Sequence, residues 1–192
     1  MANSDRSVYA PWLKDDLPKN VQIGENSLLS GQHAFRRFFT QQEVGLSIGH
    51  HCTMDGVQFA IGESGQVQIG DNCYFTNVIL LCELEIRIGS YVMIGWNTTI
   101  GDSDFHPIDP AQRILDAKAC SPLLKNTVRP LFKKTPVVIG NDVWIGPNAT
   151  ILKGVNIGTG SFIEPGSLIT HDIPPYSRVM GNPARIIGSS QS

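Results

Sequence analysis

The chain has 192 residues, 41% of them hydrophobic, with a mean hydropathy of -0.04: enough for one domain with a buried core. Fifteen basic against seventeen acidic residues give a net charge of -2, so no global field recruits nucleic acid or a membrane surface. Residues 1–16 are polar and no apolar run is long enough to span a bilayer, so neither a signal peptide nor a membrane anchor is expected.

Residues 1–20 read as an irregular lead-in containing Trp12 and Pro18. A repeat then opens at Ile23-Gly24, with Leu29 six residues on. Residues 32–45 depart from it, carrying Phe35, Arg36, Arg37, Phe38 and Phe39. The period returns at Ile48-Gly49 with Met54, and at Ile69-Gly70 with Phe75 and Leu81. It slips by one residue and continues through Ile88, Ile94 and Ile100. After a break, six isoleucines follow at a strict spacing of six: Ile139, Ile145, Ile151, Ile157, Ile163 and Ile169.

A period of six would walk apolar residues around a helix, and it does not match the two-residue alternation of a half-buried strand. It fits a chain that makes a short strand, turns a corner and repeats, with each large residue pointing into a shared interior. Gly after the inward residue, and Asn or Asp in the following positions, supply the bends. The fold class expected is therefore an all-β solenoid of one domain, residues 1–192. Its coils lie at 21–101 and 137–173, a loop is ejected at about 102–136, and a short tail runs over 174–192.

That loop is too long to be a mere connection inside a compact domain. It holds Phe105, Ile108, Ile114, Leu115, Leu123, Leu124, Leu131 and Phe132, which argues for a segment that folds against a neighbour. It opens with Gly101-Asp102-Ser103-Asp104-Phe105-His106-Pro107, so His106 stands where the chain leaves a rigid platform. An imidazole there suits a general base, and Asp102 or Asp104 is near enough in sequence to orient it. An exposed turn histidine is the plain alternative. Lys125, Arg129, Lys133 and Lys134 make the second half of the loop basic; they suit either a solvated face or the phosphates of a ligand. His33, His50, His51 and His171 show no ligand spacing with His106, so no metal site is expected. Cys52, Cys73, Cys82 and Cys120 form no C-x-x-C pair, which reads as reduced thiols in a cytoplasmic setting.

Asn97-Thr98-Thr99-Ile100 followed by His106-Pro107 resembles the Asn…His-Pro segment of the hexapeptide-repeat acyltransferases, of the galactoside and maltose O-acetyltransferase type. So do the run from Val138-Ile139-Gly140 to Trp144-Ile145-Gly146, the ending Ile173-Pro174-Pro175-Tyr176, and Gly181-Asn182-Pro183-Ala184-Arg185. The resemblance implies a left-handed parallel β-helix, a homotrimer with sites between subunits, and acetyl transfer from acetyl-CoA to a sugar-like hydroxyl. It also implies His106 as the general base, with Asn97 and Asp104 on the acceptor. Trp144 and Gly146 would line the acetyl and pantetheine channel, and Arg185 would stand near the CoA phosphates. Trp144 fits a contact between subunits as well. Two departures from the family pattern, Glu164-Pro165 in place of Gly and His171 in place of Lys, fall where the cofactor would pass. The alternatives are a metal-dependent carbonic anhydrase on the same solenoid and a non-catalytic solenoid.

Overall fold

The large apolar residues of the repeat lie in short strands, each in register with its counterpart in the next coil. The structure is a computed structural model that describes residues 11–12, 16–121, 123 and 127–191. The first coil holds β1 (Val21–Ile23) and β2 (Leu28–Leu29). The second holds β3 (Leu46–Ile48), β4 (Thr53–Asp55) and β5 (Gln58–Ile61), and the third β6 (Gln66–Ile69), β7 (Tyr74–Thr76) and β8 (Ile79–Cys82). The fourth, β9 (Glu85–Ile88), β10 (Met93–Ile94) and β11 (Thr99–Gly101), runs into the loop and its helix α1 (Pro110–Ala119). Beyond the loop come β12 (Val137–Ile139), β13 (Trp144–Ile145) and β14 (Thr150–Ile151), then β15 (Asn156–Ile157), β16 (Phe162–Ile163) and β17 (Leu168–Ile169). An antiparallel hairpin of β18 (Ser177–Gly181) and β19 (Ala184–Ser189) ends the stack.

Strands from successive coils stack into three sheets, in the orders β1-β3-β6-β9-β12-β15, β19-β18-β16-β13-β10-β7-β4-β2 and β17-β14-β11-β8-β5. Between these strands all pairings are parallel except in the terminal hairpin. In-register stacking turns the sequence period into three ladders. The first runs Ile23, Ile48, Ile69, Ile88, Ile139, Ile157. The second runs Leu29, Met54, Phe75, Ile94, Ile145, Ile163, Val179, and the third Phe59, Leu80, Ile100, Ile151, Ile169. The six late isoleucines are all at most 2% exposed, and burying each fully is worth about 1.5–3 kcal/mol.

Two details differ from the expectation. Leu81 is not an inward residue; Leu80 and Cys82 are both fully buried, and Leu81 faces outward. A second inward set also lies two residues before each isoleucine: Val137, Val143, Ala149, Val155, Ser161 and Ser167. The period of six carries this set too, but its mixture of small apolar and hydroxyl side chains hides it in a hydrophobicity reading.

Corners of one kind take left-handed backbone at Asn77, Asn97 and Asn148, with φ of 49°, 59° and 59°. Asn tolerates this conformation at low cost. The aromatic cluster of Trp12, Phe35, Phe38 and Phe59 covers the N-terminal end: Phe35 lies 4.9 Å from Trp12, 5.3 Å from Phe38 and 5.9 Å from Phe59 between ring centroids. An open sheet end needs such a cover.

Candidate active site

The loop leaves from the end of β11 and returns to β12, at the corner between the third and first sheets. Asp102 fixes that exit. Its buried carboxylate accepts from the backbone N–H of Glu83 at 2.8 Å and from those of Leu84 and Glu85 at 2.7 Å each. Three amide donors consume both oxygens, so Asp102 anchors the corner and does not orient His106. The entry and return strands of the loop are laced together, Asp104 N–H to Lys133 O at 2.9 Å and Thr135 N–H to Asp102 O at 2.8 Å. Asp104 pairs with Lys153 through Oδ1, while its buried Oδ2 has no hydrogen-bond partner. Phe105 then takes φ +58° and lays its ring over Gly101, where a Cβ would come within 3.1 Å of it. This reversal sets His106 facing back toward α1.

The helix announces itself locally. Asp109 is its N-cap, accepting from Gln112 N–H at 2.8 Å, and Pro110 occupies the first turn, an arrangement that both residues favour. Among its residues only Asp116 is buried. Asp116 Oδ2 lies 2.6 Å from His106 Nδ1, and Arg129 holds the same carboxylate through Nε at 2.7 Å and Nη2 at 3.2 Å. Arg129 also donates to Phe105 O at 2.7 Å, closing a ring through the loop.

Arg129 foremost, then His106, outweighs burial and draws the Asp116 carboxyl down to about 2. An ionised carboxylate only accepts, so the shared proton resides on His106 Nδ1. That leaves Nε2 with its lone pair outward, on a side chain that is 58% exposed. Orienting an imidazole in this way is what a general base requires. The carboxylate is therefore neither of the two near in sequence. It comes from a helix ten residues away, and its partner Arg129 is one of the loop cations read as a ligand-binding or solvated face.

The other basic loop residues divide. Lys134 pairs with Glu83 at 3.4 Å, and Lys134 and Arg129 both sit 5.1 Å from the Phe132 ring centroid. Lys133 is exposed, and Lys125 and Leu124 lie outside the described residues. Cys120 completes a His106–Asp116–Cys120 set whose donor atoms lie within 4.8 Å of one another. Arg129 already occupies both oxygens of Asp116, so the set is arranged as a hydrogen-bonded network. A cleft of about 460 Å³ opens here, lined by His106, Pro110, Arg113, Ile114, Ala117 and Cys120.

The remaining candidates stand elsewhere. Asn97 is exposed at a left-handed corner, its Nδ2 3.5 Å from Asn148 Oδ1. Gly146 is required by packing, because a Cβ there would meet Pro165 N at 2.6 Å. The same contact places Pro165 of the departing Glu164-Pro165 pair, and Glu164 itself is bound by Arg178 at 2.5 Å. His171 shares a 2.7 Å hydrogen bond with Thr170 Oγ1. Trp144 lies on the outer face of the second sheet, stacked on Phe162 at 4.3 Å. With Tyr74, Met93 and Trp96 it borders an apolar groove of about 240 Å³. Arg185 is exposed on the terminal hairpin, its guanidinium bonded to Ala184 O at 2.9 Å. Within one chain, then, His106 stands at the corner across the prism from the sheet that carries Trp144 and Arg185.

Residues 136–171 match the family model described as bacterial transferase hexapeptide (six repeats). The chain is 32% identical to the galactoside O-acetyltransferase of Escherichia coli K12 over 148 residues, 76% of this chain and 64% of that one. It is also 32% identical to the galactoside O-acetyltransferase of Lactococcus lactis over 140 residues, 72% of this chain and 60% of that one. It thus spans less than two thirds of the length of these curated relatives. A hexapeptide-repeat-containing acetyltransferase of Vibrio cholerae, solved with acetyl-CoA, superposes with a TM-score of 0.63 at 30% identity, covering 84% of this chain and 77% of that one.

Proposed function

The chain belongs to the hexapeptide-repeat acyltransferases, and from that premise we propose that it moves an acetyl group from acetyl-CoA to a hydroxyl of a sugar or sugar-like acceptor. The observation that carries this reading is the 2.6 Å contact between His106 Nδ1 and Asp116 Oδ2, on a loop whose exposed Nε2 is free to accept a proton. In the reaction His106 takes the acceptor O–H proton as that oxygen attacks the thioester carbonyl. A backbone N–H at a coil corner steadies the oxyanion. The C–S bond then breaks, and the imidazolium returns its proton to the departing CoA thiolate. Asp116 stabilises the imidazolium between these two transfers. The thioester is already activated, so no covalent enzyme intermediate is called for.

The working form in this reading is a homotrimer. The outer face of the second sheet exposes Tyr74, Met93 and Trp96, at 49%, 49% and 61%, and the loop exposes Ile108, Ile114 and Leu131 at 77%, 59% and 95%. Surfaces this apolar are interaction sites. Packing the loop of one copy against the second sheet of the next brings His106 to a neighbour's Trp144 and Arg185, a pairing that one chain alone does not make. Trp144 and Gly146 then flank the pantetheine arm, Arg185 meets the CoA phosphates, and Asn97 and Asp104 lie toward the acceptor. A cytoplasmic location suits the co-substrate and the unpaired cysteines; among the described residues no helix is long and apolar enough to cross a membrane. The experiment that tests the reading is CoA-thiol release from acetyl-CoA across a panel of neutral and charged sugars. Release that depends on both acceptor and His106 supports it, and release indifferent to His106 overturns it.

A further inference from the structure

A second cleft, of about 370 Å³, lies on the outer face of the third sheet. Its floor includes Gln58 of β5 and Ile79 and Leu81 of β8, and His33, Arg36 and Arg37 stand over it. These cations are not on a free loop. The insertion that carries them is sewn to β5: Phe59 N–H donates to Ala34 O at 2.8 Å, Ile61 N–H to Arg37 O at 3.0 Å, and Phe39 N–H to Ile61 O at 2.8 Å. Between those bonds Phe35 is stacked on buried Phe59, which fixes the backbone that aims both guanidinium groups outward. Among the described residues, no carboxylate forms an ion pair with Arg36 or Arg37.

The cleft is also a neighbour of the catalytic loop. Ile79 and Leu81 pair with Thr99 and Gly101 of β11, and Gly101 lies beneath the Phe105 ring, next to His106. One strand spacing, about 4.8 Å, separates the floor from the strand on which the loop begins. Two unpaired arginines on a pinned backbone, over a floor of amide and aliphatic groups, form a site for a small hydroxylated molecule bearing an anionic group.

We propose that the acceptor is an anion, a phosphorylated or carboxylated sugar-like alcohol, whose charged group is held by Arg36 and Arg37 while its hydroxyl reaches toward the His106 loop. This rests on the transferase reading above and names the substrate class of that site. CoA also carries phosphates, so the test must separate the two anions.

Wild-type protein and the double variant R36A/R37A are titrated calorimetrically at constant ionic strength with glucose 6-phosphate, glucuronate and glucose, and in parallel with acetyl-CoA. The expected result is saturable binding of at least one anionic probe, about tenfold or more tighter than glucose, and weakened by about tenfold or more in the double variant. Acetyl-CoA affinity stays unchanged. Binding of glucose 6-phosphate alone assigns a phosphorylated acceptor, and binding of glucuronate alone a carboxylated one. The proposal is overturned if glucose binds as well as the anions, if no anion binds, or if the double variant loses acetyl-CoA affinity or changes oligomeric mass instead. Absence of acetyl-CoA binding to the wild-type protein would instead bring down the transferase reading, so the two failures are distinguishable.

Discussion

His106 Nδ1 and Asp116 Oδ2 meet at 2.6 Å across the turn that leads into α1, and the contact decides which nitrogen of the imidazole faces outward. The carboxylate that does this is itself anchored by Arg129 at 2.7 Å. The loop thus holds the imidazole ring in one orientation.

In the proposed reaction His106 takes the acceptor proton, so replacing it removes that transfer and leaves the rest of the cleft in place. His106→Ala lowers kcat by about 10²–10⁴-fold and leaves the acetyl-CoA dissociation constant nearly unchanged. Steady-state CoA release together with equilibrium binding separates the two. A parallel loss of affinity would mean that His106 is structural.

Asp116→Asn offers the imidazole a donor where it had an acceptor, which favours the wrong tautomer. We expect a fall in kcat on the order of 10²-fold or more with KM little changed, the direction seen when a triad carboxylate is amidated. Arg129→Gln costs less, because the carboxylate remains. If the two variants lost activity equally through KM, Asp116 would be holding the loop and not the tautomer.

The depressed Asp116 carboxyl makes loop order pH-dependent. Its folded value of about 2 lies below the ordinary 3.8, so the stabilisation is fully present above the ordinary value and is lost as pH falls through the folded one. The protection of residues 110–119 against amide hydrogen exchange, taken relative to the intrinsic rate at each pH, should therefore fall between about pH 4 and pH 2 in the wild type. In Asp116→Asn the protection should be lower at neutral pH and flat across that window. A wild-type profile without that change would contradict the assigned ion pair.

The coil stack makes unequal demands on neighbouring positions. Ile151 is fully buried between Ile100 and Ile169, so Ile151→Ala costs about 2–5 kcal/mol. Gly146→Ala drives a methyl group to 2.6 Å from Pro165 N and costs about 1–3 kcal/mol although it only adds a carbon. Denaturant midpoints measure both. A neutral Gly146→Ala would mean that Pro165 yields and that this corner is not closely packed.

The second-sheet face yields a prediction about assembly. Met93 is 49% exposed beside Trp144, and Met93→Asp places a charge at the centre of that apolar stripe. Light scattering should show trimer giving way to smaller species, with activity falling in step. A wild-type protein that is monomeric yet active would refute inter-subunit sites.

Much of the architecture was legible because each isoleucine of the late coils does a single job, and a period of six leaves it only one place to point. Leu81 shows where that reading fails. When both flanking residues, Leu80 and Cys82, are buried, a slip of one position cannot be seen from hydrophobicity. In the candidate site, the position of His106 at the end of a clean coil can be read from the sequence, whereas its contact with Asp116 cannot. An acid and an imidazole ten residues apart meet only if the intervening chain reverses at Phe105 and becomes helical. The signal for that helix, Asp109-Pro110 ahead of good helix formers, is present but short and lies inside a long aperiodic stretch. Asp102 and Asp104 were nearer in sequence, but backbone amides and Lys153 had already claimed them.

The most direct test of the account is a calorimetric titration of the purified chain with acetyl-CoA. We predict saturable binding at about one site per chain, weakened when the 3′-phosphate is removed if Arg185 meets it. No binding at millimolar ligand would contradict the account, leaving a solenoid whose His106–Asp116 pair serves the fold alone.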